Sequence, residues 1–211
     1  RIDKSMNRFF RVKNMKKIFL YITSSLLTGF LLTSPVYADE VLSAVDQAVN
    51  QYKSGDYAGA ASNLDFAAQL IRQKKSEELK GVFPEPLAGW NAEPATSQAT
   101  GTSVFGRSVS VSRTYARKSS NVTIDIVTDS PVMQSLMMML NNPVIAGAGG
   151  AKLETFSTHP GIIQYKESDR SGSVNIVVDK RFLVTVKGHQ VDRDNLIAYA
   201  GAIRYAELTK K

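Results

Sequence analysis

The chain has 211 residues, no cysteine and a formal net charge of +7. Seven of its 26 basic residues but only one of its 19 acidic residues lie within 1–38, so the remainder carries a net charge of +1 and gives no electrostatic case for nucleic-acid binding. The absence of cysteine excludes disulfide staples, a thiolate metal site, a cysteine nucleophile and a lipidated cysteine, while the length beyond position 38 is enough for one domain with its own core.

The first expected element is an export leader. Met15-Lys16-Lys17 precedes an apolar stretch from Ile18 to Leu32, and Pro35-Val36-Tyr37-Ala38 precedes Asp39-Glu40. This is a positive n-region, an h-region and a small-residue cleavage site in order. The apolar stretch has 15 residues, interrupted by Thr23, Ser24, Ser25 and Thr28, against the ~20 that a spanning helix needs. Cleavage is expected between Ala38 and Asp39, leaving a periplasmic product that starts at Asp39, has no stable membrane anchor and is soluble. Residues 1 to 14 are upstream sequence and take no part in the fold reading.

Two helices follow. Val41, Ala44, Val45, Ala48, Val49 and Tyr52 recur at three- and four-residue steps, the period of one helix face. Ser54-Gly55 stops this helix, with glycine free to adopt the left-handed closing conformation, and Asp56 is placed to cap the next one. The second helix is expected from Tyr57 to about Lys74, with Ala60, Ala61, Leu64, Ala67, Ala68 and Ile71 on its apolar face. Arg72, Lys74 and Lys75 complement the dipole at its far end.

The pattern Ala48-x-x-x-Tyr52-x-x-Gly55-Asp56-Tyr57-x-x-Ala60, with Ala67 further on, resembles one tetratricopeptide repeat. Solenoids of that kind need about three stacked repeats, and one is visible here. The lone hairpin is therefore expected to pack its apolar face on the C-terminal part of the chain.

Phe83-Pro84-Glu85-Pro86-Leu87-Ala88-Gly89-Trp90 reads as a hinge, and residues 82–101 as a Pro/Gly linker between the hairpin (39–81) and an α+β domain (102–211) that forms one compact unit with it. In that domain Phe105, Val109, Val111 and Tyr115 alternate with polar residues, as do Val122, Ile124 and Ile126, which predicts an antiparallel pair. Asp129-Ser130-Pro131 introduces a Met/Leu helix that ends near Asn141-Asn142-Pro143, and Gly147-Ala148-Gly149-Gly150 links it to three further strands at Ile162–Lys166, Val174–Val178 and Phe182–Lys187. A closing helix is expected from a cap at Asp192 to about Leu208. The fold class is α+β, an N-terminal helical hairpin followed by an antiparallel sheet with helices packed on one face.

The Pro-Glu-Pro-Leu-x-Gly-Trp hinge, the Asp-Ser-Pro before the Met/Leu helix and the Asn-Pro-x-x-Ala-Gly-x-Gly-Gly stretch together resemble an exported proteobacterial family of unassigned function. The resemblance implies an exported single-domain protein, and implies no activity and no site.

Chemistry-bearing patterns are sparse. The two histidines, His159 and His189, fall in turn contexts, with no Gly-x-Ser-x-Gly elbow and no His-x-x-x-His pair. Gly147-x-Gly149-Gly150 follows a helix, whereas a phosphate cradle follows a strand. Asp192-x-Asp194-Asn195 lacks the glycine and distal glutamate of a calcium loop. No catalytic, cofactor-binding or metal-ligating residue is assigned. The four methionines beyond residue 38 are Met133, Met137, Met138 and Met139. Thioethers suit Cu(I), but helical spacing of Met133, Leu136, Met137 and Leu140 favours a core face, and the remainder an adaptable apolar surface.

The candidate interaction surface is Met133, Met138, Met139 and Trp90. The functional expectation is a non-catalytic binding protein of the cell envelope, partnered by an envelope protein or an apolar ligand. A periplasmic hydrolase with a loop-assembled site and a structural envelope component are the other two classes.

Overall fold

The computed structural model describes residues 39–98, 108–142, 147 and 150–210. The expected leader, Phe105, Pro143 and the Ala148-Gly149 pair lie outside the described residues. Residues Asp39–Lys211 form one compact unit.

Helix α1 (Glu40–Ser54) starts at Asp39, whose carboxylate accepts from the Val41 N–H at 3.1 Å. It ends at Gly55, held at φ 85° and ψ 4°, where the glycine N–H donates to the Gln51 and Tyr52 carbonyls. Asp56 accepts from the Gly59 N–H at 2.9 Å and opens α2 (Tyr57–Lys80). The second helix is six residues longer than expected, and the extension is what ties the hairpin down: Ser76 and Leu79 are buried, and Leu79 joins the main core with Val82 and Phe83.

The stretch expected as a linker is a structural strap. Val82, Phe83 and Pro84 are buried, and β1 (Asn91–Ala92) and β2 (Thr96–Gln98) both pair with the outer edge of β3 (Ser110–Arg117). Tyr115 Oη donates to the Pro84 carbonyl at 2.7 Å, and Arg204 donates through its backbone N–H to Val82 O and through Nη2 to Phe83 O. Buried backbone carbonyls need donors, and these long-range bonds supply them.

Beyond the β3–β4 hairpin (β4, Ser120–Thr128) come α3 (Met133–Asn141) and a meander of β5 (Lys152–Phe156), β6 (His159–Lys166), β7 (Ser171–Val178) and β8 (Phe182–His189). The sheet order is β1-β3-β4-β8-β7-β6-β5, antiparallel throughout. Alternation along the strands sorts the side chains into two faces. Val122, Ile124, Ile126, Val184, Val186, Val174, Ile176 and Val178 point into the main core.

That core is roofed by the end of α2 and by α4 (Arg193–Gly201) and α5 (Tyr205–Thr209). The α+β class is as expected, but the helices do not all take one face. Met133 packs with Val177 and Leu183, which alternate with core residues and so belong to the opposite face, and Leu136, Met137 and Leu140 complete that smaller cluster.

The closing helix departs from a single run to Leu208. It breaks after Gly201 because Arg204 turns to bond the strap at Val82 and Phe83, and Tyr205 Oη then donates to the Ala200 carbonyl at 2.6 Å. Asp192 makes no side-chain cap; its carboxylate pairs instead with Arg170 at 2.7 Å.

An aromatic cluster surrounds Trp90. Its ring meets Tyr199 edge-on at 5.3 Å, Tyr199 meets Tyr115 at 4.5 Å, and the Arg117 guanidinium lies 4.8 Å above the indole. Burial pushes the Tyr115 phenol up to about 12, and raises Tyr205, Tyr199 and Tyr165 above their ordinary value as well. Tyr115, Tyr205 and Tyr165 each donate to a backbone carbonyl, a bond only the neutral phenol can make.

Candidate functional site

Trp90 and Met133 are 5% and 7% exposed, so neither can line an interaction surface. This corrects their assignment from sequence: the Pro/Gly composition around Trp90 concealed a strap pressed onto the sheet, and Met133 starts the row of α3 that packs on Val177 and Leu183. Met138 is 61% exposed and Met139 half-buried, and Val132 is exposed at the start of the helix.

The open part of the α3-side sheet face is polar and internally satisfied. Ser112 Oγ donates to Asp125 at 2.7 Å, Lys187 pairs with the same carboxylate at 3.1 Å, and Thr185 Oγ1 donates to Asn175 Oδ1 at 3.0 Å. Such cross-strand pairs make a solvated face.

The histidines are far apart. His159 begins β6 with its ring 5.2 Å from that of Tyr205, and His189 ends β8 opposite Asn121. The β6–β7–β8 register places His159 level with Phe182, so His189 lies seven residues further along β8, about 23 Å at ~3.3 Å per residue. They cannot share one catalytic centre. Among the described residues no three His, Asp or Glu side chains are grouped as a metal ion would require.

One surface stands out, and it lies on the hairpin. Of the ten large apolar side chains exposed among the described residues, seven are on α1 and α2: Leu42, Val49, Tyr52, Tyr57, Leu64, Phe66 and Ile71. The two helices touch through alanines, since Ala44, Ala48, Ala60 and Ala67 are buried and let the backbones approach. Gln51 and Asn63 add a hydrogen bond of 2.6 Å.

One residue further round each helix, about 100° away, the larger side chains form two rows. Leu42, Val45, Val49 and Tyr52 make the first; Tyr57, Leu64 and Ile71, with Ala61 and Ala68 between them, make the second. The Tyr52 and Tyr57 rings meet at 5.5 Å across the turn, so both rows lie on the same face of the hairpin.

The expectation that this hairpin packs its apolar face on the C-terminal part is thus corrected. Among the described residues the hairpin joins the main core through the end of α2, and Leu64 and Ile71 are each 52% exposed. Apolar periodicity locates such positions in the sequence but does not say what covers them. Contiguous exposed apolar patches of this kind mark interaction sites.

Among the described residues no helix is long and apolar enough to cross a membrane. No family model, curated protein or solved structure matches the chain.

Proposed function

We propose that this chain is a non-catalytic interaction protein exported to the bacterial cell envelope, which docks on a partner through the apolar face of its N-terminal hairpin. The observation that carries the reading is the pair of exposed rows on α1 and α2, anchored by Tyr52, Leu64 and Ile71 and left uncovered by the other described residues. Export is supported by the leader pattern before Asp39. Among the described residues the hairpin is held to the sheet through the end of α2, which leaves its apolar face available.

A photo-reactive phenylalanine analogue replacing Leu64 is expected to cross-link a protein in the envelope of intact cells, whereas the same group replacing Met138 is expected to give no adduct. Cross-linking from Met138 alone would move the interaction surface to α3 and overturn this assignment.

A further inference from the structure

We infer that the occupant of the hairpin face is the same face of a second copy of this chain, the two hairpins closing into an antiparallel four-helix bundle about a two-fold axis. The inference rests on the reading of this face as the interaction surface, and names its partner.

Spacing is the first argument. Leu42, Val45, Val49 and Tyr52 advance by three, four and three residues, and Tyr57, Ala61, Leu64, Ala68 and Ile71 by four, three, four and three. This seven-residue repeat is that of helices packing side by side at ~20° in bundles. A single docking helix has one such row to offer against two, whereas a second hairpin carries both, already antiparallel.

The hairpin also lacks a core of its own. Its internal contact is made by alanines, which bury little apolar area, while the larger side chains wait outside. Face-to-face association would turn these into the missing bundle centre.

Shape agrees with tips at opposite ends. A half-turn places the Tyr52–Tyr57 tip of one copy over Leu42 and Ile71 at the base of the other, aromatic against aliphatic. It brings Lys53 to the partner's Asp39 along the α1 edge. Each α2 continues past Ile71 into its own sheet core, so this arrangement sends the two sheets to opposite ends. Asp46 and Asp65 then each sit next to their own counterpart near the axis, two like-charged pairs. An anionic lipid surface fits worse, because residues 39–81 hold seven acidic and five basic side chains.

Full-length chain, exported and processed by its host and then purified, is expected to show twice the monomer mass by sedimentation equilibrium. Leu64→Glu is expected to weaken the dimer by more than about tenfold, with circular dichroism unchanged because the side chain is exposed. The absence of cysteine permits a second measurement. Asp46→Cys should form an oxidised disulfide dimer, and Ser54→Cys, at the tip, should not. A monomeric mass at all accessible concentrations overturns the inference, as does disulfide formation at Ser54→Cys in place of Asp46→Cys. If the protein is monomeric while Leu64 still cross-links another protein in cells, the second copy fails and the docking face stands; if neither is seen, both fail.

Discussion

Replacing Trp90 with alanine is expected to destabilise the protein by about 3–5 kcal/mol, the range for removing a large buried aromatic. The indole is 5% exposed and lies between the edge of Tyr199 and the Arg117 guanidinium. Removing it opens a cavity at the point where the strap, β3 and α4 meet, and detaches the cation from its ring. The indole N–H has no hydrogen-bond partner among the described residues, so no hydrogen bond is lost with it. Chemical denaturation read by circular dichroism measures the effect. A shift of less than about 1 kcal/mol, typical of exposed positions, would return Trp90 to the surface.

Alkaline conditions should unfold the protein through its buried phenols. The Tyr115 value, raised by burial to about 12, exceeds the ordinary value of 10.0 that the unfolded chain restores. The folded state therefore retains a proton that the unfolded state releases. The stabilisation is complete below pH 10 and is lost as pH rises through 12.

At about 1.4 kcal/mol per pKa unit, Tyr115 alone accounts for about 2–3 kcal/mol, and Tyr205, Tyr199 and Tyr165 act in the same direction. The urea midpoint should fall steadily above pH 10. Tyr115→Phe should start lower at neutral pH, having lost the bond to Pro84, yet decline less steeply. A midpoint that stays level to pH 12 would show these phenols to be solvated.

Much of the fold was legible because local signals agreed with it. Gly55 and Asp56 mark the hairpin turn, and regular alternation marks β3, β4 and β6 to β8. What escaped was set by distant partners. Strands β1 and β2 have two and three residues and exist through their pairing with β3, and β5 presents Lys152 and Glu154 on its core-side positions, so no alternation announces it. The break before Tyr205 answers to the carbonyls of Val82 and Phe83, more than a hundred residues earlier.

The candidate surface was misplaced for a related reason. On α2 the residues Ala60, Ala67, Leu64 and Ile71 read as one apolar face, but the small pair turned to α1 and the large pair to solvent. Close approach of two helices favours alanine at the contact, and that preference left the bulkier row free. The unusual methionine composition drew attention to α3, where most of the thioether-bearing row simply fills a packing gap.

The hairpin face, left bare by the other described residues, is expected to be covered in the cell. In this cysteine-free chain Leu64→Cys and Met138→Cys can each be labelled with a maleimide, first in intact cells and then on dilute purified protein. Leu64→Cys is expected to be protected in cells and reactive after purification, with Met138→Cys reactive in both. Equal labelling of the two positions in cells would contradict the claim.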